Sequence, residues 1–295
     1  MKKIWAVYAG ILISVFVVFS LCDLKSDYLA ERQVWRIDQK LQKYAREPQV
    51  IPRFSYEQLI SSYRRVIKQF PESYLCPKIY TQIAGAHFLK KDYEAARAEY
   101  QVILEKYPQN TELLTRTQFN IAKTYEAAGQ WSQALRVYDS LKKDHEQTIV
   151  GMSVPLYLAD HYQRQGEGQL FLQAAQEAVE QYQSLIARFP DSAVEFNASQ
   201  FLSDVYVLQK RWTEGVEARG KILLKFIKTT LLNQQSAAVI IQRINNICLE
   251  ESQDFGPAIK IYRQFIEQNP QHPLAGSLKQ VVFDMERLQE KQGTQ

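Results

Sequence analysis

The histidines, cysteines and glycine-rich turns are where this chain of 295 residues would carry chemistry, and each falls short of a working constellation. His145 opens "HEQTI", the start of the zinc-binding HExxH pattern, but Ile149 stands where the second histidine must face the metal one helical turn on. "GEG" at 166–168 lacks the Gly-Lys-Ser/Thr that completes a phosphate-cradling loop, and no GxSxG occurs. The four histidines are isolated; His87 and His161 fall in helix-like stretches, where a structural role outweighs metal ligation. Cys22, Cys76 and Cys248 are far apart and odd in number, without a CxxC pair, so neither a disulfide framework nor a structural zinc site is indicated. Asn197-Ala198-Ser199 is a glycosylation sequon with meaning only in a eukaryotic secretory host. No catalytic residue, metal or cofactor is expected, so function must lie in surface.

The bulk composition says what kind of surface. At 46% hydrophobic, 12% aromatic and 23% charged the chain is too apolar to be disordered. Its net charge of +4 is mild and its lysines and arginines are interleaved with acids, unlike the dense basic face of a nucleic-acid binder. Eleven glycines and ten prolines are few for an all-β chain, and strong helix formers fill the stretches between them.

"MKKIWAVYAGILISVFVVFSLC" is a basic start followed by an uncharged run from Ile4 to Cys22. As a helix, that run would nearly match a hydrocarbon core of roughly 30 Å. Residues 1–22 thus read as an uncleaved anchor, a cleaved secretory signal, or the leader of a bacterial lipoprotein with Cys22 modified. "FSLC" resembles a lipobox, although Leu21 stands where glycine or alanine is expected. Lys2 and Lys3 before the run nearly tie with Lys25, Arg32 and Arg36 after it. The export-like start places the body outside the cytoplasm, with the cytoplasmic face as the alternative. Residues 23–52 read as a juxtamembrane helix and linker, with apolar positions Val34, Trp35, Ile37 and Leu41. From residue 31 to 68 there are nine Lys/Arg against four acids, a segment suited either to anionic headgroups or to solvent.

The elements themselves announce a repeat. "YRRVIKQFP" from Tyr63, "YQVILEKYP" from Tyr100, "YQSLIARFP" from Tyr182 and "YRQFIEQNP" from Tyr262 share one phrase. Each has a tyrosine, two apolar residues three and four positions on, and a proline at the eighth. Tyrosine and the apolar pair lie on one helix face, and the proline ends the helix. Four residues before the tyrosine stand Ala96, Ala134, Ala178 and Ala258, small enough for two helices to approach closely. Tyr93, Trp131, Trp212 and Phe255 stand three earlier again. Upstream of several phrases runs an apolar residue, a small one, and a ring three places after the small one: Ile83-Ala84-His87, Ile121-Ala122-Tyr125, Leu158-Ala159-Tyr162 and Leu202-Ser203-Tyr206.

That order of residues resembles the tetratricopeptide repeat, over roughly residues 53–271. The resemblance implies an all-α, right-handed superhelical solenoid of about six helical hairpins at 53–271. A capping helix and tail would follow at 272–295, and the signal or membrane helix would precede. Anchor positions 63, 100, 138, 182, 219 and 262 step by more than the family's usual repeat, so helices or turns are lengthened; "QGEGQLFLQ" is expected to lengthen the fourth turn. Glu146 replaces one proline, and Gly215 with Arg219 replaces one Ala/Tyr pair, which predicts looser packing or a re-angled hairpin there. Long repeats behind an export segment resemble bacterial cell-envelope members of the family. These include the lipoprotein of the outer-membrane assembly machinery, the periplasmic partner of the Tol-Pal system and anchored helpers near the Sec translocon.

The family also implies a concave groove lined by first helices, which receives a partner protein or peptide. Counted from the repeat pattern, Thr81, Gly85, Phe88, Arg116, Phe119, Lys123, Leu156, Asp160, Arg164, Gln200, Asp204 and Arg243 face it. Thr81 and Gly85 replace the cationic and amide residues of members that clamp chaperone carboxylates. Arg116 and Lys123, seven apart, remain to meet an acidic partner or to sit in solvent. The expected function is a non-enzymatic scaffold binding membrane or envelope proteins, tethered through its N-terminal segment and with no nucleic-acid partner. A constitutive subunit of one membrane complex, or a cytoplasm-facing receptor, is the alternative. If the register is right, Tyr100→Ala costs about 3–5 kcal/mol in a urea titration, as buried aromatic truncations do. A cost below about 0.5 kcal/mol, the usual surface range, would put Tyr100 in solvent and the register in error.

Overall fold

The computed structural model describes residues 27–293, together with residues 13 and 14, which are helical. The remainder of the 1–22 segment, Cys22 included, lies outside the described residues. No helix among the described residues is long and apolar enough to cross a membrane.

Thirteen α-helices and no strand make up residues 27–293. They are α1 (Asp27–Arg46), α2 (Arg53–Gln69), α3 (Cys76–Leu89), α4 (Tyr93–Lys106), α5 (Thr111–Ala127), α6 (Trp131–Asp144) and α7 (Ile149–Gln165). Then come α8 (Gly168–Arg188), α9 (Ala193–Leu208), α10 (Trp212–Phe226), α11 (Gln234–Asn246), α12 (Gly256–Gln268) and α13 (Pro273–Gly293). A π-helical stretch, Ile247–Ser252, continues α11. The chain divides into two compact units, residues 1–140 and 141–295.

In the first unit α1 packs on α2 and α3, α3 on α4, and α4 on α5. Segment 23–52, expected as a juxtamembrane helix and linker, therefore contributes the first helix of a hairpin. Ala30, Val34 and Leu41 of α1 are buried with Tyr56, Leu59 and Tyr63 of α2 and with Ile79 and Ile83 of α3. In the second unit α7, α8 and α9 pack on one another, α9 on α10, α10 on α12, and α12 on α13. Leu278, Val282 and Met285 of α13 are buried in the core shared with α10, α11 and α12.

The phrases occupy the places their chemistry requires. Ala96, Ala134, Ala178 and Ala258 are buried, as are Tyr63, Tyr100, Tyr138, Tyr182 and Tyr262; Tyr100 is 5% exposed. Pro71, Pro108, Pro190 and Pro270 each stand two residues beyond the end of α2, α4, α8 or α12. Five hairpin turns share a left-handed residue: Lys91 (φ 63°), Gly129 (74°), Gly166 (75°), Lys210 (60°) and Gln253 (54°). Glycine takes this conformation freely, whereas each lysine or glutamine pays about 1 kcal/mol, so the turn geometry is imposed by the packed helices. Four of the first helices start on side-chain caps: Asn110 accepts from Leu113 N–H (3.0 Å), Thr148 from Gly151 (3.0 Å), Ser192 from Glu195 (3.2 Å) and Asn233 from Ser236 (2.8 Å).

Two sequence expectations are corrected. The residues around "QGEGQLFLQ" do not lengthen a turn: the turn is only Gly166 and Glu167, and the extra residues extend α8 to 21 residues at its N-terminal end. Nor is packing looser at Gly215 and Arg219. A Cβ on Gly215 would lie 3.0 Å from Val207 Cγ2, and one on Gly220 would lie 2.4 Å from Ile261 Cδ1, so both glycines are sites of close approach. Arg219 is buried in place of the tyrosine.

Pro155 sits inside α7 and withholds an amide from the helical ladder. Beside it the Tyr182 hydroxyl donates to the Met152 carbonyl (2.6 Å) and accepts from the Leu156 amide (3.2 Å). The repeated tyrosine thus bridges the i/i−4 pair next to the proline. Tyr182→Phe, which keeps the ring and removes the bridge, is expected to cost about 1–3 kcal/mol in urea unfolding. A cost within about 0.5 kcal/mol, the usual surface range, would show that α7 closes its own ladder.

Candidate functional site

The motifs that opened the sequence dissolve into structure. "HEQTI" spans the connection between α6 and α7, where the His145 carbonyl accepts from the amide (2.9 Å) and hydroxyl (2.8 Å) of Thr148. Glu146, which replaces a proline, is ion-paired with Arg188 at 2.8 Å. Gly151 permits this connection: a Cβ there would lie 2.0 Å from the His145 carbonyl oxygen. His87 is half-buried in α3, and burial, reinforced by Lys90, lowers its pKa, so the ring is neutral at pH 7. His161 rests between the rings of Tyr157 and Tyr162. Cys76 and Cys248 are buried free thiols; burial pushes Cys248 up to about 12, which removes its thiolate at neutral pH. No group of three or more His, Cys, Asp or Glu that would hold a metal occurs among the described residues.

The first helices carry the candidate surface. In the first unit, Thr81, Gly85 and Phe88 lie on α3 and Arg116, Phe119 and Lys123 on α5, partly or fully exposed. Thr81 turns its hydroxyl to the Pro77 carbonyl (3.0 Å) and Phe88 lies edge-on to Tyr93. Phe119 leans on Tyr138, 5.5 Å between ring centres. Arg116 is paired with Glu112 (2.8 Å) in an open i,i+4 bridge, and Lys123 with Glu126 (3.2 Å), whose carboxylate also accepts the Tyr138 hydroxyl (3.1 Å). The two cations are therefore neutralised locally rather than held open for an acidic partner.

In the second unit α7 and α9 lie side by side, joined by Gln163 donating to the Leu208 carbonyl (3.1 Å). Leu156, Asp160 and Arg164 stand on α7, and Gln200 and Asp204 on α9, all partly or fully exposed. Asp160 and Arg164 neutralise each other at 2.7 Å. Asp204, counted as a groove residue, is instead engaged by the buried Arg219 of α10. Arg243 on α11 lies 3.9 Å from Glu251 of the π-helical stretch. The predicted residues thus share first-helix faces within each unit, but several of their polar groups are committed inside their own hairpin.

A cleft of about 300 Å³ between α8, α9 and α10 was not foreseen from sequence. Its floor includes Ile186, Leu202 and Phe226, and its polar wall is Glu195 with Lys225. Glu195 accepts from Lys225 (2.7 and 2.8 Å) and from the Asp191 amide (2.6 Å), while Asp191 meets Lys225 at 3.0 Å. Ser192-x-x-Glu195 has capping-box spacing, a sequence signal that could have marked this corner and was not read there. The Glu195 contact, and then Asp191, raise the Lys225 pKa; a nucleophilic lysine requires the reverse. The arrangement locks a turn and supplies no reacting group.

Asp204 separates the two roles. If it neutralises buried Arg219, Asp204→Asn costs about 2 kcal/mol, the buried-pair penalty reduced for its partial exposure. Unchanged chemical denaturation would return Asp204 to the exposed face as a contact residue.

Comparison with known proteins places these hairpins. Among solved structures, BtubC from P. vanneervenii is similar with TM-score 0.40 and 16% identity, over 83% of this chain and 94% of that one. The TPR2AB domain of yeast Sti1, in its pHSP90 complex, is similar with TM-score 0.33 and 12% identity, over 88% of this chain and 100% of that one. The ribosomal-protein assembly chaperone Acl4 gives TM-score 0.30 and 14% identity, over 88% and 98%. No curated protein matches the sequence. Models of the tetratricopeptide repeat match residues 60–111 and, separately, 116–148 and 162–192, so these segments are tetratricopeptide repeats.

Proposed function

We propose that this chain is a non-enzymatic scaffold that binds a partner protein through the first-helix faces of its hairpins, held at a bacterial membrane by residues 1–22. The observation that carries the binding role is the succession of tetratricopeptide hairpins whose first helices keep an exposed face. Membrane placement is supported by the basic start and the uncharged run Ile4–Cys22. The partner is a membrane or envelope protein, and the body lies on the periplasmic side, as in the cell-envelope proteins the sequence resembles.

A photo-crosslinking residue placed at Arg116 or Gln200 in the full-length chain should capture one recurrent protein from cells. The same residue at Gln101 or Gln173, on second helices, should not. Equal capture from both faces, or from neither, overturns the proposed binding face. Mass spectrometry of the mature N-terminus separates the membrane readings: an intact start means an anchor, and a lipid on Cys22 means a lipoprotein. A start beyond Cys22 means export without attachment.

A further inference from the structure

The outer face of α1 is built unlike the cap of a helical stack. A terminal hairpin has no neighbour to cover it, and such faces are ordinarily polar throughout. Here Trp35 is 63% exposed and Tyr28 is 66% exposed, seven residues apart and so on one side of the helix. Arg32, Arg36, Lys43 and Arg46 are exposed on the same side, all six residues falling within an arc of about 100°. None of these four cations forms an ion pair among the described residues.

The acids of α1 are all turned elsewhere. Asp27 accepts from Ser73 (2.7 Å), Glu31 accepts the Tyr74 hydroxyl, and Asp38 is buried with Tyr63 (2.6 Å) and Lys78 (2.6 Å). What remains outward is a single-sign strip with two amphipathic rings, on a helix of 20 residues or about 30 Å. Exposed tryptophan and tyrosine with flanking arginine and lysine suit one environment above others, the interface between headgroups and acyl chains. There the rings lie at the apolar boundary and the cations meet phosphate.

We infer that this face of α1 docks on an anionic lipid surface, with Trp35 and Tyr28 at headgroup level. The inference rests on the membrane placement proposed above and deepens it: the first hairpin lies against the bilayer rather than hanging from it. In sequence only four residues separate Asp27, the first described residue of the helix, from the end of the uncharged run at Cys22, which keeps it within reach of the same membrane.

The test uses the full chain mixed with vesicles of phosphatidylcholine, with or without about 30 mol % phosphatidylglycerol, and hydroxyl-radical footprinting read by mass spectrometry. Anionic vesicles should lower oxidation of Trp35 and Tyr28 by about threefold or more, while Phe283 and Tyr74 are unchanged. High salt and the double variant Arg32→Glu/Arg36→Glu should each abolish the protection, with circular dichroism confirming that the exposed substitutions leave the helices folded. Trp35 and Tyr28 oxidised alike on both vesicles overturns the inference, as does protection that survives the double variant. An alkaline carbonate wash reports the anchor separately. Chain that is released yet protected keeps the docking face and sinks the anchor, whereas chain retained but unprotected does the opposite.

Discussion

A phenol buried between two helices ordinarily finds a hydrogen-bond partner there, and four hairpins of this protein are arranged around that requirement. The tyrosine stands one turn after a buried alanine, or after Leu59 in the first hairpin, and its hydroxyl reaches across to the preceding first helix. Tyr63 reaches Asp38, Tyr138 reaches Glu126, Tyr182 reaches the α7 backbone, and Tyr262 reaches both the Ile241 carbonyl and Asn245. Burial raises the pKa of Tyr63, Tyr182 and Tyr262, so the phenols stay neutral donors. Apolar packing alone would let the two helices slide. In these four hairpins a directional bond sets their relative height, whereas Tyr100 is held by burial alone.

The hairpin of α9 and α10 meets the same requirement with other residues. Arg219 takes the tyrosine's place; its Nη2 is answered by Asp204, while its buried Nε has no hydrogen-bond partner among the described residues. The Ser203 hydroxyl donates to the Gly215 carbonyl at 2.8 Å, a contact possible because Gly215 brings the two backbones together. On either side of Arg219 the helix is closely approached by its neighbours, at Gly215 by Val207 and Ser203 of α9 and at Gly220 by Ile261 of α12. Arg219 and Asp204 look separate in sequence but act as one pair, and the effects of replacing them should be non-additive.

Much of this was legible in sequence. Tyrosine, apolar pair, alanine and proline each have a one-to-one reading as packing, and the hairpins follow from their spacing. Less legible were features that depend on a second element. The apolar stripe of α1 was visible, but its partner in α2 was not, so it read as a juxtamembrane helix rather than as half of a hairpin. In "QGEGQLFLQ" Gly166 does mark the turn, yet the residues after it are good helix formers and simply extend α8. Asp204 shows the limit for the site. Periodicity places it on an outward face, but an aspartate's role depends on whether a cation 15 positions away reaches it.

The consequence for recognition is electrostatic. Arg116, Lys123, Asp160, Arg164 and Asp204 all have partners within their own units, so the first-helix faces present paired charge and little net field. These pairs differ in how easily a ligand could exchange them. Arg116 with Glu112 is an open i,i+4 bridge worth about 0.3–0.5 kcal/mol, and an incoming carboxylate displaces Glu112 at small cost. Lys123 is harder to take, because Glu126 also holds Tyr138, and Asp204 harder still, because its release strands a buried arginine. Specificity on such a surface comes from shape and from the few bridges that exchange cheaply. The single-sign strip on α1 is the exception, and it faces outward from the first hairpin.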